Sequence, residues 1–180
     1  MSANRLLRIS AAAAVASSGF SILATPVAVA GTLVPVLPDL VLMGLLLVTD
    51  LLIFLALIGL YCAQVEEIGT AGLIGFVLTE VGLAVTPLAA LLGYLLFLVG
   101  LLVFAAASSR AGVLPAGAMW LWFAGALISV SAGFLGLGIL LAAGLLTSAG
   151  GRAWVGMALW SGFMSPVRGR PLTGPTQRNR

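Results

Sequence analysis

The sequence predicts an all-α, polytopic transmembrane helix bundle, and three observations carry that reading. Hydrophobic residues fill 62% of the 180 positions and charged ones only 7%, against about half and about a quarter in soluble domains. Mean hydropathy is correspondingly high, at +1.24. Uncharged runs long enough to cross a ~30 Å hydrocarbon core also follow one another with short connections between them. No polar stretch but the C-terminal one has room for anything else. Residues 1–164 therefore read as a single transmembrane helical domain, and 165–180 as a disordered Arg/Pro-rich cytoplasmic tail.

The first span is expected over 10–30. Arg5 and Arg8 precede it, and Ala28-Val29-Ala30 before Gly31 also fits a signal-peptidase site. Two readings stand there, a cleaved signal peptide or a retained span. The uncharged run from Ser10 to Ala30 is longer than a signal core needs, which favours the span. Pro35 and Pro38 end the connection that follows, and a second span is expected over 39–62. Gln64, Glu66, Glu67 and Gly69 mark the next loop.

Between Thr70 and Ser109 the one charge is Glu80. Some 38 residues of helix would be about 57 Å long, nearly twice the hydrocarbon core, so the stretch must fold back. Pro87 and Gly93 set the break, giving spans over 70–87 and 91–108. Arg110 to Pro115 forms a loop. The same length argument divides the remainder at Gly136 and Gly138 into spans over 117–136 and 141–163.

Six spans put Arg5, Arg8, Arg110 and the four tail arginines on one side. The positive-inside rule makes that side cytoplasmic. The expected location is a bacterial cytoplasmic (inner) membrane, crossed several times with both termini inside. Eight Arg and no Lys reflects a GC-rich bacterial codon bias.

Gly-Leu-Tyr-Cys-Ala-Gln at 59–64 and Leu-Ile-Gly-Phe at 73–76, with Arg110-Ala-Gly-Val-Leu-Pro115 and Ala153-Trp-Val-Gly-Met-Ala-Leu-Trp160, carry a resemblance. The chain resembles a family of small integral membrane proteins of actinobacteria and Chloroflexi-like bacteria. It departs from that family at Cys62-Ala63, where an Arg usually follows Gly-Leu-Tyr, and in a shortened loop between spans three and four. The resemblance covers roughly 40–163 and implies six helices. It brings no activity with it.

What the chain lacks excludes most chemistry. Without His there is no imidazole-ligated haem, no His-containing zinc site and no Ser–His or Cys–His nucleophile. Without Lys no Schiff base can form. The lone Cys62 cannot make an intrachain disulfide or a redox pair. No catalytic, cofactor-binding or metal site is expected, no basic face suits nucleic acid, and the protein is not expected to be an enzyme.

Asp50, Glu80 and Arg152 remain, the ionisable residues within the expected spans. A charge at the bilayer centre costs about 2.5–3.5 kcal/mol on insertion scales, so such groups face protein and find partners. The three form a candidate intramembrane cluster, with one carboxylate expected within ion-pair reach of Arg152. Gly144, Ser148 and Gly156 line up with Arg152 at helical spacing, and Gly125, Ser129 and Gly133 form a second small-residue stripe. The bulky neighbours of Asp50 predict a packed core around it. Trp120, Trp122 and Trp160 suit the membrane interface, and Trp154 is expected to pack internally. These features predict a structural or accessory membrane component acting through helix packing. Its partners would be the lipid bilayer and a second membrane protein or a second copy. The rival reading is a small transporter or proton- or cation-coupled channel using Asp50 and Glu80.

Overall fold

The structure, a computed structural model, describes residues Ala3–Gly31 and Pro38–Met164. These residues form five helices: α1 (Ala3–Gly31), α2 (Pro38–Val85), α3 (Ala90–Ala111), α4 (Ala116–Leu135) and α5 (Gly138–Met164). All five are long and apolar enough to cross a membrane. Leu47, Leu51, Leu91, Leu95 and Ile139 are among many large apolar side chains on the outside. Such a surface would drive association in water and is at ease against lipid tails. The tail at 165–180, expected to be disordered, and the proline-containing connection at 32–37 lie outside the described residues.

Six spans were expected and five helices are found. The difference lies at the expected loop around Glu66 and Glu67. Residues 39–62 and 70–87 belong largely to one element, the 48-residue α2, because helical hydrogen bonding continues through 65–68. Only Gln64 (φ −133, ψ 16) and Gly69 (φ 62, ψ −167) leave helical torsions. The Gly69 pair of angles is open essentially to glycine alone. These two residues divide α2 into two arms. Tyr61 and Phe76, one on each arm, stack with ring centroids 4.8 Å apart. On a straight helix they would stand about 22 Å apart, so the arms fold against each other.

The other breaks fall where proline and glycine mark them. Thr86, Pro87 and Leu88 form the turn between α2 and α3, closed by the Leu88 and Ala89 amides donating to the Val85 carbonyl at 2.9 Å. Gly112 and Gly136 end α3 and α4 in the left-handed conformation. At Gly136 the following Leu137 N–H donates to the Ala132 carbonyl at 2.9 Å, which closes the helix end tightly.

Packing uses four antiparallel seams rich in small residues. The second arm of α2 meets α3 through Gly75 on Phe104, Thr79 on Gly100, Gly82 on Phe97 and Thr86 on Gly93. A β-carbon at Gly82 would stand 2.8 Å from the Gly93 carbonyl oxygen, inside contact distance, so glycine is what lets the backbones touch. Between α4 and α5 the pairs are Trp122 with Gly151, Gly125 with Ser148, and Ser129 with Gly144. The first arm of α2 lies along α1, where Gly59 meets Ser10 and Ala56 joins Ala13 and Ala14 in one cluster. Helix α5 also lies antiparallel to α1, with Gly156 against Ala11 and Ala14, and Leu145 clustered with Ala24 and Ala28.

Two tryptophans exchange their expected roles. Trp122 is buried against the Gly151 backbone in the α4–α5 seam. Trp154 is exposed on the outer surface, its ring edge over Gly117. Depth along a helix does not say which way its side chains turn, and the Gly151 contact turns Trp122 inward. Gln64, expected in a loop, sits at the break in α2. It is fully buried and donates through Nε2 to the Ser108 hydroxyl at 3.0 Å, tying the break in α2 to the end of α3.

Candidate functional site

Arg152 sits midway along α5, on the face that α5 turns toward α1 and α4. The glycine at 151 brings α4 close on one side, and the small residues of α1 admit the guanidinium on the other. The side chain is 4% exposed. One terminal nitrogen donates to the Ser148 hydroxyl at 2.8 Å and the other to the hydroxyl of Ser21 on α1. Its Nε has no acceptor among the described residues. A guanidinium has five N–H donors, so two hydroxyl acceptors leave most of its capacity unused.

The group borders a cavity of about 350 Å³ whose lining runs from the buried Arg152 to the exposed Gly133 and Phe134. Five helices contribute. Ser21 comes from α1, and Leu46, Thr49, Asp50 and Ile53 come from the first arm of α2. Tyr94 and Phe97 of α3 close one wall, with Tyr94 packed edge-on to Phe134 of α4 at 5.9 Å. Ser129 and Gly133 of α4 and Leu145 and Ser148 of α5 complete it. A pocket of this kind, mostly apolar with a few convergent polar groups, is the usual form of a small-molecule site.

Asp50 lines the same cavity as Arg152, and the two charges are close enough to influence each other. They do not touch. Among the described residues no Arg nitrogen lies within 4.0 Å of a carboxylate oxygen, so the expected direct ion pair is not made. The cause is the space between them. Of the bulky neighbours of Asp50, Ile53 and Leu57 join the buried core as expected, while Leu46 and one side of Ile53 also line the cavity.

Glu80 stands elsewhere. It lies on the second arm of α2, within two turns of the helix end at Val85, and does not line the cavity. It is buried, and neither carboxylate oxygen has a hydrogen-bond partner among the described residues. The structure thus brings Asp50 and Arg152 to one space and leaves Glu80 outside it.

The stripe residues divide in a similar way. Gly125, Ser129, Gly144 and Ser148 meet across the α4–α5 seam, and Gly156 packs on α1. Gly133 has nothing within 4 Å of where its β-carbon would be, and it opens onto the cavity.

One site residue escaped the sequence reading, and its signal was in plain view. Ser10, Ser17, Ser18 and Ser21 are all buried, at the spacing of one helical face. A polar stripe in an otherwise apolar span marks its protein-facing side. Ser10 donates to the Leu55 carbonyl at 2.9 Å, while Ser17 and Ser18 return to the Ala14 carbonyl. Ser21 alone is given over to Arg152.

Comparison with family models, with curated proteins and with solved structures gives no match. The site is therefore read on its own geometry.

Proposed function

We propose that this chain is a multi-pass integral protein of a bacterial cytoplasmic membrane that binds a small polar solute within its bundle. It acts as a carrier or receptor for that solute and not as a catalyst. The carrying observation is the cavity of about 350 Å³ bordered by a buried, under-bonded arginine and a carboxylate that does not neutralise it by contact. A buried charge without a bonded counter-ion is costly, and proteins tolerate it chiefly where a ligand uses it. The absence of His and Lys leaves little chemistry beyond binding.

This reading is favoured over an accessory role by what the small-residue stripes do. Gly125, Ser129, Gly144, Ser148 and Gly156 are spent inside the chain, and Gly133 faces the cavity, so these stripes offer a partner helix no seam. A route through both Asp50 and Glu80 has less support, because Glu80 borders no shared space with Asp50.

The membrane would be crossed six times, with both arms of α2 serving as spans and both termini in the cytoplasm. Support comes from the stacking of Tyr61 on Phe76 across the break and from the pairing of each arm with a different helix. Length adds to it, since the 45-residue stretch Val41–Val85 would make a straight helix of about 67 Å. In that arrangement the cavity would reach from mid-depth toward the outer face, where Gly133 and Phe134 adjoin the Gly136 turn.

One cysteine-labelling experiment tests both parts. In a Cys62→Ala background, Gly133→Cys should react with a small membrane-impermeant thiosulfonate in right-side-out vesicles. Glu67→Cys should react only in inside-out vesicles. An unreactive Gly133→Cys in either orientation removes the solute-binding reading, and outside reactivity at Glu67→Cys removes the topology.

A further inference from the structure

We infer that the cavity takes a small zwitterion with an apolar tail, of the type of a hydrophobic α-amino acid, held by its carboxylate at Arg152 and by its ammonium at Asp50. The inference rests on the solute-binding reading above and adds the class of solute.

Charge is the first argument. Arg152 and Asp50 face one space without making contact, and together they add no net charge to it. A ligand that brought a single charge would leave one of the two unmatched in a region of low dielectric. A zwitterion matches both and carries no net charge into the membrane interior. A neutral polar ligand could not satisfy a guanidinium as fully as a carboxylate does.

Donors and acceptors give the second argument. Nη1 and Nη2 of Arg152 each spend one N–H, on Ser148 and on Ser21. Those hydroxyls hold the guanidinium plane in place and leave the second N–H of each nitrogen without an acceptor among the described residues. Asp50 accepts no hydrogen bond from a described side chain, and the nearby Thr49 hydroxyl is spent on the Leu45 carbonyl at 2.8 Å. The Arg152 side of the cavity thus has guanidinium N–H donors to spare and the Asp50 side a carboxylate acceptor, with the hydroxyls of Ser129 and Tyr94 in the same lining.

Size and lining give the third. About 350 Å³ lies at the small end of the roughly 300–1,000 Å³ of small-molecule sites. That suits an amino-acid-sized solute. Phe97, Phe134 and Leu145, with the ring of Tyr94 edge-on to Phe134, supply apolar lining in the same cavity. That lining can receive an apolar side chain.

The test is equilibrium binding to the full-length protein in lipid nanodiscs, measured by calorimetry. The probes are L-leucine, L-valine and L-phenylalanine, with leucinamide lacking the carboxylate and 4-methylpentanoate lacking the amine. At least one free amino acid should bind, and both truncated leucine analogues should bind at least tenfold more weakly than leucine. Arg152→Gln should abolish binding of every probe. Asp50→Asn should reverse the order, so that 4-methylpentanoate binds at least as well as leucine, which a purely structural role for Asp50 would not produce. Equal binding of leucine and 4-methylpentanoate by the unaltered protein overturns the inference, as does binding of none of the three amino acids. Should either variant misfold, the analogue series on the unaltered protein still decides. Labelling at Gly133→Cys without amino-acid binding sinks this inference alone, whereas a sealed cavity sinks the solute-binding reading with it.

Discussion

Along the second arm of α2 and α3, small residues meet backbone at every step from Gly75 on Phe104 to Thr86 on Gly93. Along α4 and α5 the same kind of contact runs from Trp122 and Gly151 to Ser129 and Gly144, and then stops at Gly133. Both seams are built from small residues at helical spacing. One closes completely, and the other opens onto a cavity holding two charges. The difference lies in what stands opposite. Gly82 faces the Phe97 backbone, whereas Gly133 has no atom within 4 Å of its missing β-carbon. A small residue permits close approach without compelling it, and the same residue type can mark a sealed contact or a vacancy.

The sharpest way to break this comparison is to add one methyl group to each seam. Gly82→Ala should cost about 1–3 kcal/mol by forcing the backbones apart, and Gly82→Leu should prevent stable folding. Gly133→Ala, placed in empty space, should stay within about 0.5 kcal/mol of the parent. Thermal unfolding in detergent micelles reads both, and equal losses at the two positions would mean the cavity is not there.

An effect comparable to that of Gly82→Ala is expected at Gly69, where space is not the issue. Nothing lies within 4 Å of its β-carbon position, yet its φ of +62 and ψ of −167 disfavour any side chain. Gly69→Ala should cost roughly 1–3 kcal/mol through backbone strain alone. It should leave the spectroscopic helix content unchanged. A loss of helix would show that the break is a hinge the fold depends on and not a local kink.

The last expected effect has the opposite sign. Glu80 is buried with both oxygens unbonded among the described residues, outside the cavity. Replacing it with methionine, of similar length and no charge, should stabilise the protein by about 1–3 kcal/mol. It should leave solute binding as it was. Lower stability in the same unfolding assay would reveal a partner for Glu80 supplied by lipid or a second chain, and would end the contrast between it and Arg152.

Much of the architecture was legible in the residue order. Apolar run lengths, together with Pro87 and Gly136, place the ends of four helices within a few residues, because a bilayer-length run and a residue that cannot continue a helix act locally. At Gln64 to Gly69 the expected break is present in the torsions of Gln64 and Gly69, but not as an open loop, because no proline interrupts 65–68 and helical hydrogen bonding carries on between them. The reading failed at Trp122 and Trp154, where depth could be counted but facing could not. At the site, Asp50 and Arg152 stood out by being ionisable in an apolar run. Ser21 could have stood out too, as the last of a buried serine stripe.

The sequence by itself determined that this chain is helical, apolar enough for a membrane, poor in reactive side chains and charged at three interior points. Those properties depend on composition and on spacing within one helix, and each can be read along the chain. Only the tertiary structure decided which of those charges share a space. Asp50 and Arg152 meet across five helices while Glu80, no less conspicuous in the sequence, is turned elsewhere. The reason is geometric: the rotation of each helix is set by which small residues find backbone opposite them, and that depends on the neighbouring helix, which no single run of residues contains.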